Sequence, residues 1–245
     1  MKLNENKTEI MLAGNPRTLK DLPRAEIMIN NEIIQSSDKV KNLGVLLESD
    51  FSMTAQINNL RKSMYFQLQK ISSVRPFLTQ SAAQTLITTL VLSKLDYCNA
   101  ILSGVTMENV SKLQTVQNHA AKLILRRKKS DHVTPILKEL HWLPVDARIS
   151  YKTALLCYKC LNDAAPEYLK DFLDIYTPSR PLRSSSDHLI LKKTLTNYKS
   201  YGERSFLFSG PNVWNSLPFS IRNAPNVNIF KKRLKHHLFA LSYSN

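Results

Sequence analysis

Apolar and polar positions alternate at short range in the first fifty residues of this chain, which predicts β-structure. Two short apolar runs flank Asn30-Asn31, and asparagine tolerates the left-handed backbone of a tight hairpin. A third run, Val40–Glu48, contains Gly44, which indicates a bulge or a close backbone approach. Because three short strands do not easily stand alone as a domain, we expect residues 1–53 to be the edge of a larger sheet.

The apolar spacing then changes to steps of three and four residues, which predicts amphipathic helices. Ser52 or Thr54 can cap the first helix, which ends before the next proline. Thr79 caps a second, unusually apolar helix that runs to about residue 95, and a third helix spans about 107–125. We expect these three helices to form an αα-type bundle over residues 54–130.

The pattern in residues 131–245 remains mainly helical. An apolar corner, Leu140–Val145, precedes Asp146, which is placed to start a helix. The sequence therefore predicts an α+β fold that is predominantly α-helical. The further elements expected here are a helix over Ala147–Leu161, a Pro/Ser-rich loop near 176–187, a strand over Leu189–Thr194, a turn at Gly210-Pro211 and a last amphipathic helix over about Val227–Leu241.

Charge is distributed unevenly along the chain. Its 245 residues carry 34 Lys and Arg against 19 Asp and Glu, a net charge of +15. Residues 1–55 hold seven basic and eight acidic side chains, so the remaining 27 basic and 11 acidic side chains carry +16. A field of this sign attracts polyanions, and such binding depends on salt. Either nucleic acid or another polyanion is indicated, or the charge serves solubility.

Composition also bears on location. The chain has no apolar run near the roughly 20 residues that a membrane span requires, and no apolar leader follows Met1. Its three cysteines are too few for a disulfide scaffold and suit a reducing compartment. We therefore expect an intracellular protein, in the nucleus or the cytoplasm, without membrane contact.

Motifs for catalysis are missing from the sequence. It contains no Asp-Asp or Asp-x-Asp pair, no phosphate-binding glycine loop and no nucleophile elbow. Cys157 and Cys160 have metal-ligand spacing, but their helical context favours two core thiols. His236 and His237 are adjacent and point to different helix faces, which disfavours a shared metal. We expect no catalytic residue, no metal ligand and no cofactor in this chain.

Three basic clusters remain as candidate nucleic-acid contacts, the first with Tyr65 and Phe66 interleaved for stacking. Each cluster also has a plain structural interpretation, as a solvated helix face or as cations at a helix carboxy terminus. The first cluster comprises Arg61, Lys62, Lys70 and Arg75, the second Arg126, Arg127, Lys128 and Lys129, and the third Lys231, Lys232, Arg233 and Lys235.

Several strings, taken in their order along the chain, carry a resemblance to a known family. The first two are Leu3-Asn-Glu-Asn-Lys-Thr-Glu-Ile-Met and Lys41-Asn-Leu-Gly-Val-Leu-Leu-Glu-Ser-Asp. The others are Leu92–Ala100, the run beginning Leu113-Gln, Leu140-His-Trp-Leu-Pro-Val with Arg148, Phe206–Pro218 and the run beginning Phe230-Lys-Lys. Together they resemble the reverse transcriptases of non-LTR retrotransposons, most of all jockey-like elements. The first string is similar to the segment after the catalytic palm hairpin of that family, and the second to the stretch that leads into the thumb.

This resemblance implies a palm remnant over 1–53, thumb-like helices over 54–130 and a helical carboxy-terminal region over 131–245. Family members hold Mg²⁺ on palm aspartates that lie before the stretch resembling Leu3, and this chain lacks them. The expected function is that of an RNA-directed DNA polymerase fragment without catalytic carboxylates. Such a fragment would retain backbone binding to RNA, DNA or RNA–DNA hybrid as template–primer. Two alternatives stay open: a protein–protein module, with self-association through exposed N-terminal strands, or an inert remnant of a truncated element.

Overall fold

The structure, a computed structural model, describes Asn4 and residues 7–30, 32–177, 189–196 and 202–244. The chain divides into two compact units, Met1–Leu60 and Arg61–Asn245. Most described residues are helical and the strands lie near the N-terminus, which confirms the predicted α+β, predominantly α-helical fold class. The strands are β1 (Glu26–Ile29), β2 (Glu32–Gln35), β3 (Lys39–Asn42) and β4 (Val45–Glu48). The helices are α1 (Pro16–Lys20), α2 (Thr54–Val74), α3 (Gln80–Ile87), α4 (Ser93–Asp96), α5 (Met107–Ile124), α6 (Val133–Glu139), α7 (Val145–Leu161), α8 (Glu167–Lys170), α9 (Phe206–Asn215), α10 (Phe219–Arg222) and α11 (Val227–Tyr243).

The predicted first hairpin is confirmed in the first unit. Strands β1 and β2 pair antiparallel, with Met28 opposite Ile33. Asn30 lies between them in the left-handed conformation, with φ of 48°, as the turn requires. Asn31 is outside the described residues. The side chains of Met28 and Ile33 are 68% and 59% exposed, so this face of the hairpin is uncovered.

The prediction of a single third strand over Val40–Glu48 is wrong. Two strands, β3 and β4, pair antiparallel across Leu43 and Gly44. Both turn residues have positive φ, 46° and 85°, which is typical of a two-residue type I′ loop. Gly44 therefore closes a hairpin and does not mark a bulge.

Helix α2 begins where Glu48 caps it. The Glu48 carboxylate accepts hydrogen bonds from the Ala55 amide, at 2.7 Å, and from the Ser52 hydroxyl, at 3.1 Å. A carboxylate at this position satisfies a free amide and complements the positive end of the helix dipole. The helix starts at Thr54 and ends at Val74, which confirms the predicted first helix.

The next two predicted helices are present in the second unit, one of them interrupted. Thr79 caps α3, accepting a hydrogen bond from the Ala82 amide at 3.2 Å. A π-helical turn, Thr88–Leu92, then separates α3 from α4. Helix α5 spans Met107–Ile124 and buries an apolar face, as the three- and four-residue spacing predicts.

A cluster of buried apolar residues surrounds α7, which α9 and α11 both contact. Rings of Tyr158 and Phe230 stack with centroids 4.2 Å apart, and Trp214 lies 5.9 Å from Phe230. The Tyr158 hydroxyl donates to the Ala224 carbonyl at 2.8 Å, so its buried polar end is satisfied. The last helix, α11, contributes Phe230 and Leu234 to this core, as its amphipathic pattern predicts.

Two local predictions in the carboxy-terminal region are wrong. Gly210-Pro211 lies inside α9 and does not form a turn. A side-chain Cβ at Gly210 would lie 3.2 Å from the Cys157 sulfur, so glycine allows α9 to pack closely on α7. In place of the predicted strand over Leu189–Thr194 there is an isolated bridge between Leu191 and Ile175. Most of the predicted Pro/Ser-rich loop lies outside the described residues.

Candidate nucleic-acid interface

Three of the predicted cations on α2 lie exposed. The Arg61 guanidinium lies 5.8 Å from the Tyr65 ring centroid, and the Lys70 ammonium lies 4.3 Å from the Phe66 ring. Phe66 is 54% exposed, so its ring is partly accessible beside a cation. Both pairs are spaced by four residues, which places each cation against its ring on one helix face. Lys62, which follows Arg61 in the sequence, is also exposed.

Arg75 lies elsewhere, in a buried structural position. Its side chain is 6% exposed and donates to the carbonyls of Leu123, Ile124 and Leu78 at 2.9, 2.6 and 2.8 Å. Two of these carbonyls belong to the end of α5, where backbone acceptors lack helical partners. From the turn that follows α2, Arg75 therefore caps the end of α5.

The second basic cluster follows α5 directly, and Arg126 also has a structural role. Arg126 has φ of 52°, and the amides of Arg126 and Arg127 donate back to Leu123 and Lys122 at 3.5 and 2.9 Å. This is a Schellman motif with arginine at the position where glycine is most common. One terminal nitrogen of Arg126 lies within 3.1–3.4 Å of the carbonyls of residues 75, 76 and 78.

The remaining cations of this cluster are exposed. Arg127 pairs with Glu139 at 3.7 Å, and both side chains are about half exposed, so solvent screens the pair. Lys128 is exposed, and the Lys129 carbonyl accepts a hydrogen bond from the Lys122 ammonium at 2.6 Å. The segment after α5 is thus folded back against the end of that helix.

A groove of about 390 Å³ lies between α2 and α5, and two cations of the second cluster, Arg127 and Lys129, line it. Tyr65 forms one wall and contacts His119 edge to face, with ring centroids 5.5 Å apart. None of the described residues that line the groove is acidic. We call this surface the α2/α5 groove; it is lined by Tyr65, Leu68, Gln69, Ser72, His119, Lys122, Leu123, Arg127 and Lys129.

The groove has a positive electrostatic environment, and the direction of the pKa shift of His119 is consistent with it. Burial lowers the pKa of His119, and the charges of Lys122 and Lys129 lower it further. His119 and Lys122 were not predicted as site residues from the sequence. Their spacing of three residues on the polar edge of α5 was the signal available, because it places both on one side of the helix.

The third basic cluster occupies α11 and lies beside a different, more apolar groove. Lys232, Lys235 and Arg233 line this groove of about 770 Å³ with His236, Ile229 and Phe239. Arg233 donates to the Ser220 carbonyl at 2.6 Å, which ties it to α10. Lys231 is half-buried on the same helix. The cluster thus combines cations with apolar surface, as the amphipathic pattern indicates.

The paired cysteines lie in the core. Cys157 and Cys160 are buried on α7 as free thiols, which confirms the core interpretation. Burial raises the pKa of the Cys157 thiol well above its ordinary value, and the neighbouring Cys160 raises it further. A thiol held protonated in this way is a poor nucleophile. Over the described residues, no three His, Cys, Asp or Glu side chains converge as metal ligands.

Comparisons with known proteins give no relative: no family profile, no curated protein and no solved structure matches this chain. Among its described helices, none is both long enough and apolar enough to cross a bilayer.

Proposed function

We propose that this chain binds the sugar–phosphate backbone of RNA, DNA or an RNA–DNA hybrid without reading sequence. The observation that carries the proposal is the α2/α5 groove, where Lys122, Arg127 and Lys129 surround an aromatic wall. Cations of this kind neutralise phosphates, while an aromatic ring such as Tyr65 stacks on a sugar or base. The resemblance to the thumb-like region of non-LTR reverse transcriptases supports the same role.

The proposal concerns binding alone. The sequence lacks the carboxylate pair that would hold two divalent ions at attacking and leaving oxygens. We therefore expect no primer extension with template, primer, deoxynucleotides and Mg²⁺ or Mn²⁺, measured against a heat-treated control. Extension above that control would contradict this expectation.

Fluorescence anisotropy with a labelled hybrid duplex across a salt series tests the binding. Log affinity should fall linearly with log salt, with a slope of about −0.9 for each phosphate neutralised. The triple variant Lys122→Gln, Arg127→Gln, Lys129→Gln should reduce that slope by nearly one per cation removed.

A matched control variant has the same net charge as the triple variant of the groove. Lys159→Gln, Lys192→Gln, Lys193→Gln removes three cations that do not line the α2/α5 groove. This control should bind almost as tightly as the unaltered chain. Absence of binding at low salt would refute the proposal, and equal losses in both triple variants would refute the groove as its location.

A second candidate is self-association through the first hairpin, favoured by its uncovered face. Among the described residues β1 and β2 form a sheet of two strands, so each strand has an outer edge. Exposed apolar side chains beside an unpaired edge favour addition of a strand from a second copy. Sedimentation velocity over a range of concentrations tests this. Met28→Lys should abolish any dimer, and a monomer at every concentration would refute self-association.

A further inference from the structure

A polar cavity of about 480 Å³ lies away from the α2/α5 groove, where α3, α7 and α11 approach one corner of the second unit. Its volume falls within the range of small-molecule sites, roughly 300–1,000 Å³. Gln84 and Thr88 come from α3 and the π-helical turn, Tyr151 and Lys152 from α7, and Lys235 from α11. π-Helical turns shift side chains out of helical register and recur at functional sites.

One wall of the cavity is fixed by Arg148. Its Nη1 nitrogen donates to both carboxylate oxygens of Asp96 at 2.9 Å, and its Nε donates to the Leu143 carbonyl at 3.1 Å. Its other terminal nitrogen, Nη2, has no hydrogen-bond partner among the described residues. The charge of Asp96, the cavity's acidic lining residue, is thus already compensated.

Two further cations face the same cavity without a compensating charge. Lys152 and Lys235 form no ion pair or hydrogen bond with any residue that the structure describes, and they project from different helices. With Arg148 paired to Asp96, they leave a local charge of about +2, which matches the dianionic charge of a phosphate monoester near neutral pH.

Three neutral polar side chains of the lining, those of Gln84, Thr88 and Tyr151, can also donate hydrogen bonds. Burial raises the pKa of the Tyr151 hydroxyl, so this group stays protonated and can donate at neutral pH. Thr88 and Gln84 add a hydroxyl and an amide. A phosphate accepts several charge-assisted hydrogen bonds at once, whereas Leu92 and Leu140 give the cavity an apolar side for an organic group.

From this arrangement we infer that the cavity binds the phosphate monoester of a small organic molecule, held between Lys152 of α7 and Lys235 of α11. The inference is independent of backbone binding in the α2/α5 groove. It gives Lys235, predicted from sequence as a nucleic-acid contact, a different ligand. It also assigns a role to Lys152, which the sequence patterns did not single out.

Isothermal titration calorimetry on the full chain tests the site with AMP, ribose 5-phosphate, inorganic phosphate and adenosine as separate probes. AMP should bind, adenosine should not, and inorganic phosphate should compete with AMP. Equal binding of AMP and ribose 5-phosphate supports a site that reads the phosphate and sugar, whereas tighter binding of AMP supports a nucleotide. Binding of adenosine as tight as AMP would overturn the inference.

Variants locate the binding. Lys152→Gln and Lys235→Gln should each weaken AMP about tenfold or more, because each removes a charge-assisted contact. Tyr151→Phe should weaken it by a smaller factor. Lys159→Gln, on the same helix but outside the cavity, is the control and should leave affinity unchanged. Circular dichroism verifies that each variant is folded. Failure of AMP to bind, or unchanged affinity in both lysine variants, would refute the site.

The outcome is separable from that of the proposed function. The triple variant of the α2/α5 groove should bind AMP normally, because its three altered residues do not line the cavity. Loss of AMP binding in that variant would contradict a separate site.

Discussion

Replacing Arg75 should destabilise the second unit without weakening nucleic-acid binding. The guanidinium donates to three carbonyls and is buried, with its pKa lowered first by burial and then by the charge of Arg126. It retains its charge at neutral pH, since an arginine pKa lies far above that range. In Arg75→Met the three carbonyls lose a charged donor together.

The size of the effect follows from those contacts. A hydrogen bond to a charged group contributes about 1.5–3 kcal/mol, and a buried acceptor left unsatisfied costs about 1–3 kcal/mol. Water can reach some of the freed carbonyls at the end of α5, which reduces the total. We therefore expect Arg75→Met to lower the free energy of unfolding by roughly 3–5 kcal/mol. That is a large share of the roughly 5–15 kcal/mol available to a typical domain. Arg75→Lys keeps the charge but not the planar fork, and should recover only part of the loss.

Urea denaturation, monitored by tryptophan fluorescence, measures the loss in free energy of unfolding in the second unit. Both tryptophans of the chain, Trp142 and Trp214, are buried in the unit that contains Arg75. Arg61→Met is the control, because it removes an exposed arginine from α2, the helix that ends directly before Arg75, and should change stability by less than about 0.5 kcal/mol. A loss below about 1 kcal/mol in Arg75→Met would refute the capping role. A reduced salt slope for nucleic-acid binding in the folded variant would return Arg75 to the interface.

Three further predictions concern the groove and the hairpins. Phosphate bound in the α2/α5 groove should raise the pKa of His119 by offsetting Lys122 and Lys129, so nucleic-acid affinity measured by anisotropy should increase as pH falls from about 8 to 5. His119→Gln should flatten that dependence, and an unchanged pH profile in the variant would contradict it. Leu43→Asn should stabilise the β3–β4 hairpin by roughly 1 kcal/mol, because Leu43 is 83% exposed at a left-handed position where Asn-Gly is preferred. Slower amide exchange in β3 and β4 of Leu43→Asn would verify this stabilisation, and faster exchange would refute it. Leu43→Val is the control and should destabilise the hairpin. Amides of the β1–β2 hairpin should exchange faster than those of α5, which is buried along one face. Equal protection in mass-spectrometric exchange would mean that the hairpin is covered in solution.

Local signals in the sequence determined the main helices and the first hairpin. Apolar residues at three- and four-residue steps, with Thr79 as a cap, predicted α2, α3, α5 and α11. Residues at these steps lie on one face of a helix, and that face is the one that becomes buried. Asn30 located the first turn for a similarly local reason, since few residues tolerate positive φ. These features depend on neighbours within a few residues.

Only the tertiary structure decided which groups lie next to each of these cations. Arg75 looks in sequence like one more member of a basic helix face, yet two of its three acceptors lie 48 and 49 residues away at the end of α5. The helical placement of Gly210 likewise depends on Cys157 of another helix, and no local pattern encodes that approach. Lys152 and Lys235, 83 residues apart in the chain, line one cavity. The spacing of charged residues predicts which face of a helix a side chain occupies. The residues that contact that face come from distant segments, and their packing determines which groups lie next to the charge.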